Sequence, residues 1–302
     1  MSTVILLGAG ASHGSIDCYP SVPPLGNGVF AALRRLGGVA ASVEPAIRGI
    51  FEVDFETGMV AFWEAREQDV AAFLREMAVY FAQFETRQRN TYIRLIAAIR
   101  NGRSPATLAT TNYDLLIESA ASRVGMRVAY NQRPAPFNQL ALTKIHGSCN
   151  FLPDARPDQY VRATFKNMRD SSRINLPIRV AESAKEVVDF CRAHDSLAPA
   201  IAVYAPGKPV LYSRRVVLEQ QEQWQREAEL ATVIYIIGLR VLPEDEHIWG
   251  TLARVQGRLE YVGFEPDRFL SWAAENRESR PNNVLGREFD ESIPAIAAQL
   301  RS

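Results

Sequence analysis

The chain has 302 residues, 47% of them hydrophobic and 23% charged, the profile of an ordinary globular protein with room for one large domain. Its 34 lysines and arginines balance 34 aspartates and glutamates, so net charge gives no electrostatic case for binding nucleic acid or an anionic membrane. The cysteines Cys18, Cys149 and Cys191 include no Cys-x-x-Cys pair, and no apolar run reaches membrane-spanning length; this argues against a zinc ribbon, a disulfide framework and a membrane anchor, and leaves the cytoplasm as the expected location.

Val4–Leu7 is a short, wholly apolar run with the length of a strand buried on both faces. It breaks into Gly8-Ala9-Gly10-Ala11-Ser12, where glycines let the backbone turn tightly and approach a ligand. A helix starting beyond that turn would aim its free N–H groups into the same space, completing a pyrophosphate cradle. His13 stands where the usual dinucleotide fingerprint has its third glycine, and Gly14 follows. Glycine turns after buried strands also occur in α/β proteins that bind nothing there, so the turn alone leaves both readings open.

Tyr19–Pro24 is a proline-bearing loop, and Leu25–Leu36 has helical spacing that Gly37-Gly38 stops. Glu44–Val53 is a shorter helix. Asp69 is placed to cap a long one, in which Val70, Phe73, Leu74, Met77, Phe81 and Phe84 recur at intervals of three and four. Asn90–Arg100 repeats that pattern, so residues 38–102 read as a helical layer inserted before the sheet resumes.

Thr107–Thr111 is a second strand, running into Thr110-Thr111-Asn112-Tyr113-Asp114 and then a helix from Leu115 to about Val124. Met126–Tyr130 and Leu140–Ile145 are further strands, separated by the loop 131–138, and the second ends at His146-Gly147-Ser148. Three strands thus finish in polar clusters at their carboxyl ends, the edge of an open parallel sheet where ligands bind. Residues 151–230 read as an irregular insertion. It holds a loop at 154–157, a strand at Tyr160–Phe165, a helix at Ser183–Arg192 and a hairpin from Ile201–Tyr204 to Pro209–Tyr212, and Ser213 caps a long polar helix reaching Leu230. The βα rhythm returns with strand Val233–Ile237 ending at Gly238, helix Asp245–Val255, strand Arg258–Val262, and helices Pro266–Asn276 and Ile293–Leu300. The expected fold is α/β: a single domain over 1–302 with a Rossmann-like, doubly wound parallel sheet, its core at about 1–37, 103–150 and 231–302, carrying helical insertions.

Gly8-Ala9-Gly10-Ala11-Ser12, Thr110-Thr111-Asn112-Tyr113-Asp114, His146-Gly147-Ser148 and the late strand ending Ile236-Ile237-Gly238 occur in the order that characterises the sirtuin family, which the chain resembles along nearly its whole length. The closer likeness is to bacterial sirtuin-like NAD hydrolases of antiphage defence, those of Thoeris, of short Argonaute systems and of pairs with a HerA-type ATPase. They typically carry Thr-Thr-Asn-Tyr-Asp, as here, and lack the zinc-binding cysteines of the deacylases. Asp245-Glu246-His247-Ile248 also looks like that branch. Leu239 and Arg240 depart from it, standing where a small polar pair often follows the glycine, and no additional sensor domain accompanies the sequence.

The resemblance implies an NAD hydrolase that takes NAD as substrate, needs no zinc, and releases nicotinamide and ADP-ribose. Asn112 would orient the ribose and the attacking water, and Asp114 would hold the nicotinamide carboxamide. His146 would act as base, a task that suits a side chain titrating near neutrality. Gly8, Ala9, Gly10 and Ser12 would hold the phosphates, with Thr111 and Gly238 beside the dinucleotide. The family likeness further implies a homo-oligomer, triggered by a partner such as a HerA-type ATPase or a short Argonaute. Two alternatives stand beside it: an NAD- or ADP-ribose-binding subunit without turnover, and an NAD-dependent protein deacylase. The same residues also have plainer structural readings. Asn112 would serve as a cap for the helix beginning near Tyr113, Asp114 as a favourable charge in its first turn, and His146 as a structural histidine. Cys149 reads as small buried packing, and His13, His194 and His247 lack partner spacing.

Overall fold

A computed structural model of the chain describes residues 2–130, 138–154, 175–202 and 210–301. Eleven strands are named in chain order. They are β1 (Thr3–Leu7), β2 (Cys18–Tyr19), β3 (Glu85–Thr86), β4 (Ala106–Thr110), β5 (Arg127–Tyr130), β6 (Gln139–Lys144), β7 (Phe151–Pro153), β8 (Ile178–Val180), β9 (Val233–Ile237), β10 (Arg258–Val262) and β11 (Asn282–Gly286). Seven of them form one sheet in the order β11-β10-β9-β1-β4-β6-β5, and every pairing in it is parallel. This is the expected doubly wound α/β sheet.

β1 is the central strand. Its all-apolar sequence follows from burial on both faces: Ile5 and Leu7 join one core cluster, Val4 and Leu6 the other. β9 alternates likewise, with Val233, Tyr235 and Ile237 on the first side and Ile234 and Ile236 on the second. The helical layer packs on the first side, where Phe30, Phe51, Phe62 and Phe73 stack, together with the helices Thr91–Asn101 and Phe289–Arg301. Trp224, Trp249, Phe269 and Trp272 cover the other side.

The chain leaves β1, returns at β4 on one flank, and later places β9 on the other. Connections therefore diverge at the carboxyl end of β1, the kind of switch point beside which open parallel sheets bind ligands.

Several local expectations are corrected. Asp69 makes no cap bond; its carboxylate accepts instead from Arg66 Nε (2.6 Å), and a three-residue turn, Glu67–Asp69, leads into the helix Val70–Ala82. Phe84 falls beyond that helix. Ser213 is left-handed (φ 57°) and makes no cap bond to the helix Arg214–Leu230. The helix placed at Asp245–Val255 is a wide five-residue turn, Glu246–Gly250, followed by a short helix, Thr251–Arg254. Helix Phe55–Ala65, the small ribbon of β2 and β3, and edge strand β11 are additional to the expected elements. The strand placed at 160–165 and the loop at 131–137 lie outside the described residues. Of the hairpin, a bridge between Ala202 and Val210 is seen, and 203–209 lie outside the description.

Candidate active site

The glycine turn is built by contact with the neighbouring strand. Gly8 N–H donates to Ile237 O (2.9 Å), Gly10 N–H to Gly238 O (2.8 Å), and Ala11 N–H to Gly8 O (2.9 Å). The amides of Gly8 and Gly10, two of the residues expected to hold phosphate, are therefore engaged within the protein. The glycines are required by packing: a Cβ on Gly10 would lie 2.8 Å from Gly238 Cα, and one on Gly238 would lie 2.1 Å from Ala11 N. Gly238 is also left-handed (φ 67°), a conformation glycine adopts without strain. Ala9 is the exposed residue of the turn, and the helix that follows, Ala9–His13, is a single short turn and a half. Leu239 crowds Gly8 from β9: a Cβ there would meet Leu239 Cγ at 2.6 Å.

The β4 tip is stitched to this turn. Thr110 Oγ1 donates to Leu7 O (2.8 Å) and accepts from Asn112 N–H (3.1 Å), while Thr111 N–H donates to Leu7 O (3.2 Å). The chain is thereby bent so that Asn112 Nδ2 donates to both Gly8 O and Ser12 Oγ, each at 2.8 Å. Asn112 thus bridges two strand tips instead of capping the next helix. Ser12 donates to Asp114 Oδ2 (2.8 Å) and meets Tyr92 OH at 3.0 Å. Asp114 Oδ1 accepts from Leu116 N–H (3.1 Å), so this carboxylate also serves the first turn of helix Leu116–Arg123.

Ser12, Asn112, Asp114 and Tyr92 are all buried. Burial pushes the Asp114 carboxyl above its ordinary value, against the opposing pull of Lys144 and of its hydrogen bonds. Burial likewise holds the Tyr92 hydroxyl well above its ordinary value, so it stays protonated. Sequence reasoning placed Thr110 in its motif without a role and missed Tyr92 and Lys144. Lys144 has no solvent exposure, and its ammonium donates to Asp114 O (2.5 Å) and Asn112 O (3.5 Å) and pairs with Glu118 (3.2 Å). That cation clamps the turn carrying Asn112 from beneath. The signal available was a lysine at the end of a buried strand, a place where a charge demands partners.

His146 lies two residues beyond Lys144, as Asn112 lies two beyond Thr110, and Thr110 and Lys144 are register partners. Both side chains thus leave the same edge of the sheet. His146 is 2% exposed, and its carbonyl accepts from Ala202 N–H (2.9 Å). Gly147 follows with φ 78°, and a Cβ there would stand 2.0 Å from Ala200 O. His146 Nε2 is 4.0 Å from Asp245 Oδ2. Cys149 is fully buried with its thiol pushed well up by desolvation, the state of a packing residue and not of a nucleophile. Arg240 is exposed and stands 4.0 Å from Asp54. His13 bonds Pro23 O through Nδ1 (2.9 Å).

Among the described residues, no group of three histidine, cysteine, aspartate or glutamate side chains is placed to hold a metal ion, and no helix is long and apolar enough to cross a membrane.

No protein-family model matches the chain, and no curated protein matches it in sequence. Its fold is similar to solved structures of Sir2 proteins. One is a substituted Sir2 homologue in complex with 2'-O-acetyl ADP ribose, at 16% identity and a TM-score of 0.53, covering 99% of this chain and 91% of that one. Another is a Sir2 protein with a p53 peptide and NAD+, at 14% identity and a TM-score of 0.50, covering 98% of this chain and 92% of that one. At these identities the likeness is one of fold.

Proposed function

We propose that this chain hydrolyses NAD at the nicotinamide–ribose bond, releasing nicotinamide and ADP-ribose, and that it serves as an antiphage effector switched on by a partner or by self-assembly. The observation that carries the reading is that Asn112 binds Ser12 and the Gly8–Gly10 turn at the carboxyl ends of β1 and β4, with His146 beyond the same end of the adjoining strand β6, beside the switch point of a parallel sheet. The solved structures of like fold hold NAD or an ADP-ribose derivative, which makes a dinucleotide the natural occupant of such a crevice.

In this reading the dinucleotide runs along Gly8, Ala9, Gly10 and Ser12, past Thr111 and Gly238. Asn112, fixed between two strands, orients the nicotinamide ribose and the water; Asp114 meets the carboxamide. The bond between C1' and the ring nitrogen breaks with its electron pair going to nitrogen, which turns a pyridinium into neutral nicotinamide. Water oxygen bonds to C1', and His146 takes the released proton and passes it to solvent. Positioning and proton transfer together supply the rate. A cell holding such an enzyme always active would lose its NAD, which favours control by assembly or by a partner such as a HerA-type ATPase or a short Argonaute.

The test is to incubate the purified chain with NAD, alone and with its genomic neighbour, and to follow nicotinamide and ADP-ribose by chromatography. Asn112→Ala should abolish release. Release that requires an acylated peptide would instead indicate a deacylase, and NAD binding without product would indicate a regulatory subunit. The second of these alternatives draws support from Leu239, which crowds the glycine turn.

A further inference from the structure

Beyond Gly238, the segment that follows β9 runs to Asp245, which has no part in the reaction proposed above, and places a carboxylate against a residue on the far side of the central strands. β9 and β6 are separated in the sheet by β1 and β4, yet Asp245 Oδ2 lies 4.0 Å from His146 Nε2.

We propose that Asp245 is the positioning residue of His146, holding the imidazole in place and favouring its protonated form, so that His146 can accept the proton of the attacking water. Its catalytic meaning rests on the NAD-hydrolase reading above; the pairing itself does not.

Three observations support it. First, Asp245 is held firmly. Its N–H donates to Leu242 O (2.8 Å), and its carbonyl accepts from Ile248 N–H (3.0 Å) and Trp249 N–H (2.8 Å). Second, the segment around it is pinned by buried groups. Trp249 Nε1 donates to Arg240 O (3.1 Å), Trp224 Nε1 to His247 O (2.8 Å), and Val241 N–H to Glu265 Oε2 (2.9 Å). Third, His146 sits on an equally fixed backbone, between Ile145, whose N–H donates to Thr110 O (2.9 Å), and a glycine whose conformation admits no other residue cheaply. Two fixed backbones thus present their side chains to each other at ion-pair distance, 4.0 Å.

The side chains are 3% and 15% exposed for His146 and Asp245, so the attraction is little screened by solvent. Lys144 engages Asn112 O, Asp114 O and Glu118, and Asp114 faces Ser12 and Leu116 N–H. A carboxylate beside an imidazole stabilises imidazolium, so it raises the basicity of the neutral ring that must accept a proton.

Two measurements decide the matter. In the full-length protein, the His146 ring resonance, identified by its loss in His146→Gln, is titrated by NMR in wild type, Asp245→Asn and Asp245→Glu. The midpoint should fall by about half a unit or more in Asp245→Asn and be largely restored in Asp245→Glu, which keeps the charge. A midpoint unchanged in Asp245→Asn, with the fold intact by near-ultraviolet circular dichroism, overturns the pairing. In the NAD-cleavage assay, Asp245→Asn should lower kcat about tenfold or more, within the range general-base catalysis contributes, with KM little changed. The acid limb of its pH profile should move to lower pH. A kcat like wild type overturns the positioning role. Wild-type protein that cleaves no NAD in any state overturns the hydrolase reading alone, and the titration still decides the pairing.

Discussion

Asp114 is a buried carboxyl whose ionised form costs stability. Desolvation raises its pKa on folding more than Lys144, Leu116 N–H and Ser12 lower it. A carboxyl raised in this way favours the folded state fully only below its unfolded pKa of about 3.9, and that contribution is lost as pH rises through the folded value. At neutral pH its charge is therefore a burden that an amide would not carry. Asp114→Asn should match or exceed wild type in urea midpoint at pH 7, with the advantage shrinking toward pH 4, while NAD cleavage falls. A variant less stable than wild type at pH 7 would mean that the hydrogen bonds from Ser12 and Leu116 to the charge outweigh its desolvation. Gly238 carries the opposite expectation. Its left-handed φ and the 2.1 Å separation a Cβ would have from Ala11 N make Gly238→Ala destabilising by about 1–3 kcal/mol or more, read by the same unfolding curves. The glycines also mark what a sequence reveals. Gly8, Gly10 and Gly238 stand out as glycines in turns, but their packing against one another is tertiary. Nothing in the local run Ile236-Ile237-Gly238 says which strand will lie beside it.

Elements were legible where their pattern was local and strong. The buried strands β1, β4, β6, β9 and β10 and helices such as Gly26–Leu36 and Pro266–Asn276 follow from apolar runs and from spacing at three and four. Two cap assignments failed because a side chain found a better partner or the backbone took another conformation. Asp69 turned to Arg66, and Ser213 adopted a left-handed φ. Helix Phe55–Ala65 escaped although Asp54 caps it, accepting from Thr57 N–H (2.8 Å), and Phe55, Met59 and Phe62 supply its buried face. Strand β11 begins Asn282-Asn283 and lies at the sheet edge, so neither propensity nor alternation marks it. The inserted helical layer is held by its aromatic stack. Phe30 and Phe51 have ring centroids 3.9 Å apart, Phe51 and Phe73 5.9 Å, and a Cβ on Gly58 would touch Phe51 Cδ1 at 2.4 Å. Phe51, with no solvent exposure, is the shared member. Phe51→Ala should destabilise the chain by about 3–5 kcal/mol in urea unfolding, as truncation of a fully buried phenylalanine does. A loss below 1 kcal/mol would mean that the layer closes over the cavity without strain.

For the whole molecule, the seven-stranded order places one strand, β1, where every other part of the site can be referred to it. Its turn contacts Gly238, just past β9, on one side and Asn112, just past β4, on the other, while His146 follows β6 one strand further. The segment after β9 then arches over these tips to Asp245. The motifs themselves were readable from the sequence; the arch was not, because it joins residues 99 positions apart. If NAD occupies this crevice, its footprint on the molecule must be lopsided. Hydrogen exchange on the His146→Gln variant, which should bind NAD but not consume it, is expected to slow at residues 8–14, 110–116, 145–150 and 238–245 when NAD is added. The amides of β11 and of the helices Pro45–Val53 and Pro266–Asn276 should exchange as before. The same variant should melt higher with NAD, since a ligand present at a hundred times its Kd stabilises the folded state by about 2.7 kcal/mol. Protection confined to the helical layer would place the ligand away from the strand tips and remove the basis for assigning Asn112 and His146 to catalysis.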